Sequence, residues 1–107
     1  MSNLIFSYGS LILPENLEKF DSKIISSVFV RGFKLNVVKS PITKTNYHYI
    51  LCYKTFDAND VIPGFLIETD NIEEIDKWEG DSYARTKIKC FDRRINEIEC
   101  FIYLKNN

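Results

Sequence analysis

Histidine is almost missing from this chain, with His48 the only one. A histidine metal cluster or a Ser-His triad cannot be built on that supply. Among Tyr47, Tyr49 and Tyr53 it reads as a packed or half-exposed strand residue rather than a catalytic one. Cysteine is scarce as well. Cys52, Cys90 and Cys100 form an odd set with no close spacing, which argues against a disulfide framework or a zinc site and for reduced core thiols. No apolar run reaches the length of a membrane span. The first one is interrupted by Ser7, Tyr8, Gly9 and Ser10 and has no basic residues ahead of it, so no signal peptide is expected and the cytoplasm is the expected location. Excess charge of one sign is also lacking. Fourteen basic residues face fifteen acidic ones, for a net charge of −1, which leaves no footprint for nucleic acid. Arg93 and Arg94, the one adjacent basic pair, fall in an expected hairpin turn. Neither nucleic acid nor a membrane is an expected partner.

What remains is an ordinary globular composition, 45% hydrophobic and 27% charged, over 107 residues. That length fits one domain, 1–107, able to bury a core. The 14% of aromatic residues suits a ring-rich core or a lined pocket. Leu4, Ile5 and Phe6 read as a strand covered on both faces. A glycine turn follows, then a short helix opened by Pro14, with Leu17 and Phe20 on one face. Over residues 24–30, Ile24, Val28 and Val30 share an apolar face with Ser26 between them, and Gly32 shifts the phase. Phe33, Leu35 and Val37 alternate with Lys34 and Asn36, and Tyr49, Leu51 and Tyr53 with Ile50 and Cys52, which gives two more strands. Residues 39–47 are polar and contain Pro41, so they read as a loop, and 57–60 reads as a turn. In the strand over 61–69, Pro63 points to an edge or bulge and Gly64 to a close backbone approach. Asp70 or Asn71 is placed to cap a helix, with Glu73 or Glu74 completing a capping box, and Gly80 to end it. A hairpin over 84–91 and 97–104 closes the chain, with Ile98, Cys100, Ile102 and Leu104 on one face. Six or seven strands with one or two short helices predict an α+β fold, a mixed or antiparallel sheet curled into a small barrel.

Three groups of residues could carry chemistry. Tyr8, Gly9, Ser10 and Leu11 join a strand end to a helix start, where backbone N–H groups can converge on a carboxylate or an oxyanion. The plain alternative is a strand-to-helix turn. Gly9 is expected to have a backbone shape or close approach that a Cβ would block. Glu79 shares a helix face with Ile72 and Ile75, the apolar face, whereas Glu73, Glu74 and Lys77 lie off it. Burial and the helix C-terminus would raise its pKa and a nearby cation would lower it. A raised pKa suits a group that takes and returns a proton near neutrality. The alternative is a solvated Glu beside a glycine cap. Tyr83 and Arg85, two apart at a strand start, point the same way and follow Glu79 closely enough to line one pocket. They would otherwise be a surface pair. A tight Arg85–Glu79 pair would depress the Glu79 pKa, so Arg85 is expected to point elsewhere.

In order and spacing these segments resemble the γ-glutamylcyclotransferase-like family. Tyr8-Gly9-Ser10-Leu11 looks like its N-terminal loop, and Val61-Ile62-Pro63-Gly64-Phe65-Leu66 like one of its strands. Ile75-Asp76-Lys77-Trp78-Glu79-Gly80, followed by Tyr83 and Arg85, looks like its acidic helix end. The resemblance spans residues 4–103, although the stretch 39–48 matches nothing in the pattern. It implies a small barrel with flanking helices, and a pocket where the 8–11 loop meets Glu79. It also implies release of 5-oxoproline and a free amine from a γ-glutamyl compound, without metal or cofactor. Glu79 matches the family's catalytic carboxylate, and Tyr8, Gly9, Ser10 and Leu11 match the loop that holds the glutamyl group. The rival expectation is a catalytically idle protein of the same fold that binds a small carboxylated ligand or a partner protein.

Overall fold

The computed structural model describes residues 2–39 and 48–105. Among the described residues, seven strands and two α-helices run in the order β1 (Asn3–Ser7), α1 (Pro14–Lys19), β2 (Lys23–Arg31), β3 (Phe33–Lys39), β4 (His48–Lys54), β5 (Val61–Thr69), α2 (Ile72–Glu79), β6 (Tyr83–Phe91) and β7 (Glu97–Lys105). A 3-10 turn at Ser10–Ile12 precedes α1. The loop expected over 39–47 lies outside the described residues except for Lys39, which ends β3. The packing expected of the His48 side chain is likewise outside them.

Five strands close a barrel in the order β1-β5-β2-β6-β7, while among the described residues β3 and β4 pair only with each other. The barrel pairs are antiparallel except β1 with β7, which run parallel at Ile5↔Phe101, so the sheet is mixed. The two-residue period of the strands sorts their side chains into two cores. Phe6, Val28, Val30, Leu66, Cys90, Cys100 and Ile102 belong to one, which Phe33 and Cys52 of the β3–β4 hairpin extend. Ile5, Ile67 and Tyr103 belong to the other, together with Leu11, Phe20, Ile72 and Ile75 from the helical segments. Ile5 and Phe6 are therefore both buried, one in each core, and this explains the unbroken apolar run at β1. Each such side chain contributes about 1.5–3 kcal/mol by leaving water.

Glycine is required by close approach at one point. A Cβ on Gly64 would stand 2.5 Å from the Phe6 ring and 2.6 Å from the Ser7 carbonyl oxygen. Pro63 sits one residue earlier, where β5 has β2 as a neighbour but has run past the end of β1, so its missing donor breaks no β1 ladder bond.

Two local expectations are corrected. Ile24 does not share a buried face with Val28 and Val30. A bulge between Ile24 and Ser26 reverses the alternation, so Ile24 lies opposite Ile67 and is exposed. The capping box also does not form. Asn71 is the N-cap of α2 but makes no side-chain cap bond. Its Nδ2 donates instead to the Phe20 carbonyl at 2.7 Å, which ties α2 to the end of α1.

Candidate active site

Helix α2 presents Ile72 and Ile75 to the core and ends on Glu79, one further step along that face. Gly80 then stops the helix with φ +82°, a conformation that favours glycine, and its N–H closes on the Asp76 carbonyl at 3.1 Å. Glu79 is thus a half-buried carboxyl at the end of an apolar stripe. Burial pushes it from its ordinary value near 4.5 up to about 7. Both of its protonation states are populated near neutral pH.

The 8–11 loop reaches Glu79 from the end of β1. Tyr8 packs its ring against Phe6 and the barrel core, and its hydroxyl donates to the Tyr103 carbonyl at 2.6 Å. Burial pushes the Tyr8 phenol above its ordinary range, and the charges of Cys52, Glu79 and Tyr83 add to the effect. The loop continues into the 3-10 turn, where Ile12 and Leu13 donate back to Gly9 and Ser10. Among the described residues, no protein acceptor takes the N–H groups of Gly9, Ser10 or Leu11. Gly9 itself departs from expectation. Its φ is −142°, and a Cβ there would meet nothing within 4 Å. The protein makes no contact that requires glycine at that position; the space beside its Cα is open.

Arg85 does not pair with Glu79. On β6 it lies directly opposite Tyr103 of β7, so the two side chains leave the same rung of the sheet toward α2. Both meet Asp76, one helical turn before Glu79. The Arg85 Nη1 stands 3.4 Å from one carboxylate oxygen, and the Tyr103 hydroxyl donates to the other at 2.6 Å. The guanidinium also lies over the Phe101 ring, 5.0 Å from its centre. Burial and the Asp76 hydrogen bond push the Tyr103 phenol up, and Asp76 and Glu79 charge pushes it further, while Arg85 opposes. Tyr83, two residues before Arg85, packs against the helix-side core under Lys105. Trp78 meets Phe20 edge-on at 5.5 Å. The sequence reading missed Asp76 and Tyr103. Asp76 lies within the acidic helix-end motif, but only the β6–β7 register shows what engages it.

Among the described residues, no group of three or more His, Cys, Asp and Glu is arranged to hold a metal ion. No described helix is long and apolar enough to cross a membrane.

A closed, mixed five-stranded barrel flanked by two short helices defines a recognisable fold. Solved structures with this architecture include a protein named γ-glutamyl cyclotransferase, with a TM-score of 0.81 at 21% identity over 100% of this chain and 68% of that one. An uncharacterized human protein superposes with a TM-score of 0.81 at 22% identity, over 99% of this chain and 68% of its own. A mouse AIG2-like protein gives 0.69 at 18% identity, over 97% and 77%. The chain has the γ-glutamyl cyclotransferase-like fold. No family model matches it, and no curated protein matches it in sequence.

Proposed function

We propose that this protein is an enzyme of the γ-glutamyl cyclotransferase type, converting a γ-glutamyl amine or γ-glutamyl peptide into 5-oxoproline and a free amine. The observation that supports it most is the Glu79 carboxyl, held near 7 by burial at the end of α2, in electrostatic contact with Tyr8 at the entry to a loop of open N–H donors.

In this reading Glu79 is both the general base and the general acid. The substrate's own α-amine attacks its γ-carbonyl carbon as Glu79 takes the amine proton. The tetrahedral intermediate then collapses, the bond from the γ-carbon to the departing nitrogen breaks, and Glu79 returns the proton to that nitrogen. All atoms of the substrate reappear in 5-oxoproline and the amine, so the step needs no water, oxidant or cofactor. Ring closure within one molecule supplies much of the rate by proximity. The N–H groups of Gly9, Ser10 and Leu11 hold the α-carboxylate or the carbonyl oxygen, with Tyr8, Tyr83 and Arg85 shaping the pocket around it.

The test is 5-oxoproline release from a panel of γ-glutamyl amines and dipeptides, with Glu79→Gln as the matched control. Wild-type protein is expected to release 5-oxoproline and the variant to be slower by roughly a hundredfold or more, the usual worth of a general acid–base group. Equal rates would remove Glu79 from the mechanism. A folded protein that turns over no member of the panel would instead be an idle binder of the same fold.

A further inference from the structure

The geometry points to Asp76 as a positioning residue that holds the Arg85 guanidinium away from Glu79. The site needs such a device. Asp76 and Glu79 are three residues apart on α2, and side chains at that spacing are neighbours on a helix surface. A guanidinium that reaches one carboxylate is therefore close to the other, about 4.5 Å along the axis. Arg85 occupies the first position, 3.4 Å from Asp76. Three contacts keep it there. The Asp76 carboxylate attracts it, the Phe101 ring lies beneath it at 5.0 Å, and the Tyr103 hydroxyl fixes the second Asp76 oxygen at 2.6 Å. The same Tyr103 accepts the Tyr8 hydroxyl at its backbone carbonyl, so this arrangement also connects to the 8–11 loop.

The charged and titratable groups that the described residues place around Glu79 come from several elements. Glu79 acts on the phenols of Tyr8, at the end of β1, and Tyr103, on β7. Cys52 from β4 and Tyr83 from β6 also act on Tyr8, while Asp76 from α2 and Arg85 from β6 act on Tyr103. Cys52 and both phenols are neutral at pH 7, and burial moves them further from ionisation. Lys77 on α2 is bridged to Glu74, and Lys105 on β7 lies over the Tyr83 ring. Lys19, from α1, sits over the Phe20 ring. Arg85 is the cation already docked one turn from Glu79, and the Asp76–Arg85 pair carries no net charge.

The inference deepens the proposed acid–base role of Glu79 and rests on that reading for its importance, but its test does not need turnover. The measurement is the titration midpoint of the Glu79 side-chain carboxyl, followed by carbon-detected NMR on the whole chain. Asp76→Asn keeps the size of the side chain and an acceptor for Tyr103, yet releases the guanidinium toward the remaining carboxylate. Its midpoint is expected to fall by about 1 pH unit or more, the usual effect of an opposite charge at close range. Arg85→Met alone should move the midpoint by less than about half a unit, as neighbouring carboxylates on a helix surface interact weakly. The double variant Asp76→Asn/Arg85→Met should return close to the wild-type midpoint. A merely structural role for Asp76 would not produce that rescue. Should Asp76→Asn fail to fold, Asp76→Ser carries the same expectation. An unchanged midpoint in the single Asp76 variant, or a double variant that stays depressed, would overturn the proposal. A wild-type protein that releases no 5-oxoproline would overturn the proposed function and leave this titration result standing.

Discussion

Glu79 couples the acid–base state of the candidate site to the stability of the whole chain. Its folded pKa, about 7, lies above its ordinary value near 4.5, so between those two values the folded state retains a proton that the unfolded state has released. Stability from this group therefore falls as pH rises through that window. Glu79→Gln removes the dependence, and chemical unfolding should show the variant gaining on wild type by about 1–2 kcal/mol between pH 5 and pH 8, after allowance for partial exposure. A constant difference across that range would mean that Glu79 titrates in the ordinary carboxylate range. Gly9 gives a second residue-scale expectation. The space beside its Cα is open, so Gly9→Val should fold with near wild-type stability while losing affinity for 5-oxoproline in calorimetry, because the new side chain enters the proposed ligand space. Tight binding by that variant would remove the 8–11 loop from the site. Helical spacing was enough to place Glu79 on the face of Ile72 and Ile75, since that relation is local to α2. The Asp76 contacts were not legible in the same way, because Arg85 and Tyr103 come from two different strands and meet only through the β6–β7 register.

At the scale of elements, the close approach of β1 and β5 at Gly64 leaves no room for a Cβ. Gly64→Ala would drive a methyl group into the Phe6 ring and the Ser7 carbonyl, and a backbone oxygen cannot turn aside as a side chain can. A loss of about 2–3 kcal/mol in urea unfolding is expected, in the range of overpacked cores. A neutral result would show that β1 can slide on β5. The glycine beside Pro63 was legible in sequence because both residues are unusual inside a strand. The bulge in β2 was not. Ile24 and Ile25 are both apolar, and nothing in their own pattern says which of them the ladder skips. The β3–β4 hairpin shows the same limit. Alternation identified both strands, but not that they pair with each other apart from the barrel. Gly32, with a φ of +84°, turns the chain between β2 and β3.

For the whole molecule, the three thiols share one core, built by the barrel strands and extended by the β3–β4 hairpin. Cys90 and Cys100 lie in the barrel core and Cys52 under the β3–β4 hairpin, all of them free. Burial pushes the Cys52 thiol up to about 12, so it is almost entirely protonated at pH 8. Modification by a thiol reagent at pH 8 should therefore be limited by opening of the fold, with all three cysteines reacting promptly in urea. Fast labelling of the native protein would contradict the packing. The closure of the barrel has a practical consequence of a different kind. Because β1 and β7 run in the same direction, the start of β1 and the end of β7 emerge at opposite ends of adjacent strands, roughly 20 Å apart over about six residues of strand. Lys105 leaves beside Tyr83, on the side where Tyr8 enters its loop, whereas Asn3 lies beside Thr69 at the far end. An affinity tag or reporter fused ahead of Asn3 will stand clear of the candidate site, and one fused beyond Lys105 will hang over its rim.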